Sequence, residues 1–320
     1  MTNPFGSLAR VILPLIIIYL AFSLMGTIGG IIVVGIFIIG AAYLNRAVIY
    51  QNRGSKKYQN GDFEGALSDL KTSISLNPNA VNIRGSYAFL LLKLGHTEEA
   101  AVQIDEALKR VQAEADKKSL RVTKALVLWK QNKVDEAIED LSELLKTFET
   151  TNVYATLGFL HIEKGDYEKA LEFNLQAKDY NGTNAIILDN LGTSYFLLGD
   201  NENAFETFQE TMKHKPNFPE AFYNYARVLD KMGNLEKALY MVRHSLTLRF
   251  WNTSTITKKE VEDFLVELEA KENALNQIRE AEKAAAKATD REAENDAENQ
   301  DTEIRDETVN ETEKNENTHL

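Results

Sequence analysis

Cysteine is absent from the 320 residues of the chain, and proline and glycine are sparse. Without cysteine, the chain can form neither a disulfide framework nor a thiolate nucleophile. The five prolines and seventeen glycines stand against many Ala, Leu, Glu and Lys residues, a balance that favours helix over strand. The composition therefore predicts an all-α protein.

A surplus of basic residues is also lacking, because the net charge is −12. The segment 289–320 carries most of this charge, with twelve acidic residues against three basic ones. The rest of the chain is nearly neutral and offers no broad positive field for phosphates, so nucleic acid is not an expected partner. Because segment 289–320 also lacks apolar periodicity, we expect it to be an acidic, disordered tail.

The usual signatures of catalytic and metal sites are absent as well. The five histidines include no pair at the i, i+4 spacing of a helical zinc site. No G-x-S-x-G motif, phosphate loop or dinucleotide-binding glycine fingerprint occurs. We therefore expect no catalytic residue, no metal site, no cofactor and no enzymatic activity.

Apolar residues, by contrast, are concentrated near the start of the chain. The run from Val11 to Leu44 contains no charged residue. As one helix it would be about 50 Å long, whereas the hydrocarbon core of a bilayer is about 30 Å thick. Two helices, at roughly 7–25 and 30–49, fit better, and glycines between them supply a turn. We therefore predict that residues 1–46 are a transmembrane hairpin; the rival interpretation is one strongly tilted span.

Basic residues flank this apolar run on both sides. Arg10 precedes it, and Arg46, Arg53, Lys56 and Lys57 follow it, whereas the central turn carries no Lys or Arg. Because Lys and Arg are enriched on the cytoplasmic side of membranes, this distribution places both ends of the hairpin in the cytoplasm. We therefore expect a cell-membrane protein with two spans, whose remaining chain faces the cytoplasm.

Three registers of small and turn-forming residues recur through the middle of the chain at spacings of 33 to 37 residues. The first register holds small residues: Gly54, Ala88, Ala125, Gly158, Gly192 and Ala226. Seven residues later come turn formers: Gly61, Gly95, Asn132, Gly165, Gly199 and Gly233. Five residues further on come alanines: Ala66, Ala100, Ala137, Ala170, Ala204 and Ala238.

Each register has a physical role in a pair of antiparallel helices. The turn former tolerates the left-handed backbone that ends the first helix of a pair. The two small residues let the paired helices cross closely, where a larger side chain would separate their axes. Because one pair cannot bury its apolar face alone, we expect successive pairs to stack into an α-solenoid.

This pattern resembles the tetratricopeptide repeat (TPR) family over roughly residues 47–252, which gives about six repeats. In the fifth repeat, the residues that fall at the family's pattern positions are Leu188, Leu191, Gly192, Tyr195, Ala204, Phe208 and Pro216. Residues 253–288 are predicted to form one further helix that caps the last repeat. Thr257 and Glu260 form a capping box near its start.

The resemblance also implies a binding surface, since TPR proteins usually bind extended peptides or partner segments in an inner groove lined by the first helix of each repeat. Carrying over the lining positions gives these candidate partner-binding residues: Phe89, Trp129, Phe159, Ile162, Asn190, Phe196, Tyr223, Asn224 and Arg227. The carboxylate clamp of co-chaperone members is not expected, because only Asn190 matches its pattern.

Together, these features predict a membrane-anchored TPR scaffold or adaptor that binds protein or peptide partners in its groove. The alternative is an integral subunit of a transport, secretion or envelope-assembly complex that acts through its transmembrane hairpin. The sequence leaves the partner, the pathway and the oligomeric state open.

Overall fold

The computed structural model describes the backbone of residues 4–316 and the side chains of residues 12–288, and all regular structure in this part of the chain is helical. The helices are α1 (Pro4–Leu44), α2 (Arg46–Gln59), α3 (Phe63–Leu76), α4 (Val81–Lys93), α5 (Thr97–Arg110), α6 (Glu114–Lys130), α7 (Val134–Leu145), α8 (Thr151–Lys164), α9 (Tyr167–Asn181), α10 (Ala185–Leu197), α11 (Asn201–Lys213), α12 (Pro219–Lys231), α13 (Leu235–Ser245) and α14 (Lys258–Glu316).

The chain divides into two compact units. The first contains α1 to α11 together with a short segment from later in the chain, Phe250–Thr255, which we call the strap. The second contains α12, α13 and α14. Helices α2 to α11 form five pairs in the first unit, and α12 with α13 forms a sixth pair in the second, as the repeat spacing predicts.

The turn inside each pair has the backbone conformation that the sequence predicts. The φ angle is positive at all six turn formers: Gly61 (82°), Gly95 (92°), Asn132 (61°), Gly165 (86°), Gly199 (84°) and Gly233 (77°). Glycine adopts this left-handed conformation without steric cost, and asparagine tolerates it better than most residues. The predicted helix-ending role of this register is therefore confirmed.

The two registers of small residues lie where paired helices cross. All six alanines of the third register have no exposed surface. A Cβ atom placed on Gly192 would lie 2.9 Å from the Phe208 ring on the partner helix, and one on Gly54 would lie 3.1 Å from Leu70. These distances leave no space for a larger side chain, which confirms the predicted close crossing.

Within the first unit, the core crosses from each pair to the next. Leu141 and Leu144 of α7 belong to the same buried cluster as Leu157 and Leu160 of α8, which is the first helix of the following pair. All four side chains are fully buried. Burying a leucine stabilises a fold by about 1.5–3 kcal/mol, so each pair depends on its neighbour for much of its stability.

Helix α1 holds the apolar run and bends near its middle. The segment Ile12–Leu44 is long and apolar enough to cross a membrane, and it is the one such segment among the described residues. The backbone leaves helical geometry at Gly26 (φ 69°, ψ −173°), a conformation almost restricted to glycine. A Cβ atom on Gly30 would lie 2.3 Å from the Phe22 ring. Eight residues of straight helix would separate these positions by about 12 Å along the axis, so the chain bends sharply here.

Helix α14 begins with the predicted capping box and extends beyond its predicted end. The Glu260 carboxylate accepts hydrogen bonds from the backbone N–H and the hydroxyl of Thr257, while the Glu260 N–H donates to that hydroxyl. The helical backbone then continues to Glu316, where we expected disorder from residue 289 onwards. No glycine or proline occurs after Gly233, so the sequence contains no strong helix breaker that would end α14 at residue 288.

Candidate functional site

The inner face of the first two repeats contains a cavity of about 410 Å³ between α2 and α4. Helix α2 lines it with five residues: Gln51, Gly54, Ser55, Tyr58 and Gln59. Helix α4 contributes Ile83, Ser86, Phe89 and Leu90, and Leu70 of α3 completes the lining. The cavity therefore combines aliphatic and aromatic surface with neutral amide and hydroxyl groups, the usual mixture of a binding pocket.

One basic residue, Lys93, lies next to the lining of this cavity, and two others on α2 are engaged by α3. The Lys93 ammonium donates a hydrogen bond to the Tyr58 hydroxyl (3.0 Å) and lies 5.5 Å from the centre of the Phe89 ring. Arg53 and Lys57 on α2 form ion pairs with the buried Asp69 of α3, at 3.3 and 3.0 Å. The lining residues that the structure describes include no acidic side chain. A negatively charged group on a ligand would therefore meet Lys93 favourably.

Phe89 is the predicted site residue that lines this cavity. Its side chain retains 37% of its surface exposed, although it lies on a helix whose other apolar residues are mostly buried. An exposed aromatic ring in a concave surface is the kind of group that anchors a partner segment. Phe89 therefore lines this cavity, and its contact with a partner stays a prediction.

The sequence of this array matches known repeat proteins. Four family models described as "Tetratricopeptide repeat" match residues 57–123, 122–184, 188–217 and 207–240, which together exceed half of the chain. The chain belongs to the tetratricopeptide repeat family. The TPR fold that the sequence resembles is thereby confirmed.

Individual relatives share the TPR fold at low sequence identity. A TPR repeat-containing protein of Methanocaldococcus jannaschii is 24% identical over 49% of this chain and 28% of its own length. DnaJ homolog subfamily C member 3 of Mus musculus is 25% identical over 63% of this chain and 41% of its own length. The chain thus spans less than half the length of these curated relatives.

A crystal structure of a tetratricopeptide repeat protein from Parabacteroides merdae has the same fold. It superimposes with a TM-score of 0.59 over 80% of this chain and 96% of that one. The two sequences are 14% identical, so the likeness concerns the TPR fold.

The next three predicted TPR groove residues lie deeper than Phe89. Trp129 is only 7% exposed, and its ring packs edge-on against Phe159 at 4.9 Å between centres. Its indole N–H donates to the Glu163 carboxylate (3.0 Å), where burial raises the pKa of Glu163 and the Trp129 hydrogen bond opposes that rise. Ile162 is half-buried. Trp129 and Phe159 pack on the core between the third and fourth repeats, so we remove Trp129 from the partner-contacting set.

Asn190 is also used by the fold rather than left for a partner. Its side chain is buried, and its amide N–H donates to the Ala155 carbonyl of α8 at 2.9 Å. The backbone carbonyl of Asn190 accepts a hydrogen bond from the Ser194 hydroxyl. Asn190 therefore joins neighbouring first helices, which corrects its assignment to the groove. Phe196, on the same helix, is half-buried and remains a candidate.

In the second unit, one candidate residue of α12, Tyr223, contacts α14. The Tyr223 ring meets Phe264 of α14 edge-on at 5.6 Å, and burial raises the pKa of the Tyr223 phenol. The Arg227 guanidinium lies 5.7 Å from the centre of the Tyr223 ring, and the Asn224 side chain is buried. Asn224 is therefore inaccessible to a partner, Tyr223 packs on the capping helix, and Arg227 packs on Tyr223.

Sequence reasoning missed the contribution of α2 to the cavity. In the first repeat, Gln51 and Ser55 fall at positions of the carboxylate clamp, which they do not match, and neither was predicted to line the groove. A signal was nevertheless present, because Gln51, Ser55 and Tyr58 follow each other at helical spacings of four and three residues. Such spacing places all three side chains on one face of α2.

Proposed function

We propose that this TPR protein is a membrane-tethered scaffold that binds partner protein segments on the inner face of its repeats. Its family membership supports a role in protein–protein interaction, because TPR proteins bind protein or peptide partners. The proposal assigns the chain no catalytic step, cofactor or nucleic-acid ligand.

The cavity between α2 and α4 is the observation that carries this proposal. Its volume of about 410 Å³ accommodates one or two side chains of a bound segment. The aliphatic residues and Phe89 suit an apolar anchor, and the glutamines and serines of the lining can bond the peptide groups beside it. Lys93 at the edge favours a carboxylate on the same segment.

Helix α1 supports the membrane tether. Its large apolar side chains are mostly exposed, among them Leu24, Ile28 and Ile39, which fits lipid rather than a protein core. The sharp bend at Gly26 supports the hairpin interpretation, with two short spans in place of one long tilted span. Basic residues on both flanks support a cytoplasmic location for the repeats.

A tether of this kind changes binding without adding contacts. A scaffold confined to a membrane meets other membrane-bound partners at a raised effective concentration, so modest affinity for one segment is sufficient. On this account the physiological role is to hold a partner beside the bilayer, and the inner-face cavity provides the selectivity.

Replacing Phe89 with glutamate tests this proposal. The substitution places a carboxylate in the cavity, and because Phe89 is already partly exposed, we expect the fold to tolerate it. Losing an aromatic anchor typically costs about 2 kcal/mol or more of binding free energy, so partner recovery should fall roughly thirtyfold. The measurement is quantitative affinity capture of the full chain from solubilised membranes.

Val102→Glu is the matched control. Val102 is 57% exposed on α5, the second helix of the same repeat, and it lies outside the cavity lining. It receives the same change of charge and should leave recovery unchanged. Equal recovery with Phe89→Glu and wild type would reject the cavity as the binding site.

A further inference from the structure

The strap, Phe250–Thr255, docks on the first unit at the edge where first helices end and second helices begin. Its contacts extend across three repeats, from Phe63 at the start of α3, through the end of α4, to Lys130 at the end of α6. This edge is distinct from the inner-face cavity, although Tyr58 and Lys93 are close to both.

Trp251 is the aromatic anchor of the strap. Its ring meets Phe63 edge-on, with 4.9 Å between centres and 83° between planes. The Lys93 ammonium lies 4.0 Å from the centre of the Trp251 ring, and the same ammonium is hydrogen-bonded to Tyr58. A cation positioned over an indole is a favourable contact, and the hydrogen bond to Tyr58 holds that cation in place.

Asn252 donates two hydrogen bonds to carbonyls at the end of α4, one of which, the Leu92 carbonyl, also accepts the Gly95 N–H. Its backbone N–H donates to the Lys93 carbonyl at 3.0 Å, and its side-chain amide donates to the Leu92 carbonyl at 2.9 Å. The last carbonyls of a helix have no partner within that helix, so they are good acceptors for an incoming segment. Asn252 therefore recognises the helix end through backbone and side chain together.

The strap is also ordered by its own hydrogen bonds. The Ser254 N–H donates to the Trp251 carbonyl at 3.0 Å, and the Trp251 N–H donates to the Ser254 hydroxyl at 3.2 Å. These bonds close a turn over Trp251–Asn252–Thr253–Ser254, and Lys130 donates to the Ser254 carbonyl from the third repeat. A segment that is already folded loses less conformational entropy when it binds.

We propose that this edge of the first three repeats is a second recognition site, selective for a turn with an aromatic residue followed by asparagine, and that the strap is its intramolecular occupant. A partner protein that presents an aromatic–Asn–x–Ser turn then binds the edge by displacing the strap. The partner's aromatic ring takes the place of Trp251 between Phe63 and Lys93. The partner's asparagine donates hydrogen bonds to the Leu92 and Lys93 carbonyls at the end of α4.

A peptide supplied in trans tests this site. The probe is a fluorescently labelled peptide of residues 246–257, and the receptor is the full chain in detergent micelles with the strap disabled by Trp251→Ala and Asn252→Ala. We expect saturable binding to this variant. We expect at least tenfold weaker binding to wild type, because an attached strap competes at an effective concentration on the order of 1 mM.

Two controls define specificity. The same peptide with alanine in place of its tryptophan and asparagine should fail to bind. Adding Phe63→Ala to the strap-disabled variant should weaken binding at least tenfold, whereas adding Val102→Ala, on the exposed face of α5, should leave it unchanged. Absence of binding to a variant with wild-type helix content, or equal binding of the alanine peptide, overturns the proposal.

Hydrogen exchange of the wild-type chain gives an independent result if the strap-disabled variant does not fold. The Asn252 amide, which donates to the Lys93 carbonyl, should be protected and should exchange faster when unlabelled peptide is added at about 1 mM. If the exchange rate of the Asn252 amide does not change when peptide is added, the proposal that a partner displaces the strap is overturned. Because Tyr58 and Lys93 lie close to both sites, the exchange is repeated with Phe89→Glu, which alters the cavity and should leave the peptide-induced exchange of the Asn252 amide unchanged.

Discussion

Residues that the TPR resemblance assigns to one groove differ in exposure. Phe89, one position after Ala88, is 37% exposed, whereas Trp129, four positions after Ala125, is 7% exposed. The two residues do not occupy equivalent repeat positions, and the Phe159 ring of the next repeat packs against Trp129. The repeat pattern predicts which helix face a residue occupies, but it does not predict whether a side chain of the adjacent repeat covers it.

His161 provides a pH-dependent test at the residue scale. Its ring lies against Phe173 at 5.5 Å, and its Nδ1 atom is buried without a hydrogen-bond partner among the described residues. Burial lowers the pKa of His161, Lys164 and Lys169 lower it further, and Asp166 opposes them. The unfolded chain therefore binds this proton more tightly than the folded chain, so stability falls as pH falls below the unfolded pKa of about 6.5.

We expect His161→Gln to remove part of this pH dependence. Between about pH 7.5 and about pH 5.5, the free energy of unfolding of wild type should fall relative to that of the variant. The reason is that only wild type has a buried imidazole whose protonation the fold disfavours. Thermal unfolding followed by circular dichroism measures this difference. A His161→Gln difference that does not change with pH contradicts this account.

At the element scale, the helix pairs were predictable because their constraints are local. A glycine or asparagine at the turn and small residues at the crossing are fixed by backbone and packing geometry, and both registers fall as predicted. The capping box of Thr257 and Glu260 is equally local and is also present. Each of these features depends on residues within one repeat or one helix start.

Features that depend on residues distant in sequence were not predictable. The strap contacts Leu92 and Lys93 from about 160 positions away, and no local pattern in the sequence marks Asn252 as a partner for a helix end. The helical backbone of α14 extends to Glu316, past residue 288, where low apolar content led us to expect a disordered tail. The contact between Tyr223 and Phe264, which lies on α14, also joins residues that are distant in sequence.

If the bend in α1 makes a transmembrane hairpin, the centre of α1 is exposed to solvent outside the cytoplasm. Because the chain has no cysteine, Thr27→Cys introduces the only thiol, next to Gly26 at the bend. The hairpin predicts that a membrane-impermeant maleimide labels Thr27→Cys in intact cells or spheroplasts. Ser55→Cys on α2 is the control, and it should be labelled only after permeabilisation. Protection of Thr27→Cys, or labelling of Ser55→Cys without permeabilisation, contradicts the hairpin.

At the scale of the whole molecule, the account combines a tether and a receptor. In the proposed function, apolar helix α1 is the tether and the repeats are the receptor, with a cavity whose lining is apolar and amide-rich and with Lys93 near its edge. The net negative charge of the chain is concentrated after residue 288, and the rest of the sequence is nearly neutral.

The most direct test of the central claim is site-specific photo-crosslinking in membranes. A photoreactive amino acid is placed at Ser86, which lines the cavity between α2 and α4, and separately at Val102, which is exposed outside it. The account predicts a discrete protein adduct from position 86 that Phe89→Glu abolishes, and no such adduct from position 102. Adducts of equal yield from both positions, or an adduct from position 86 that survives Phe89→Glu, would contradict it.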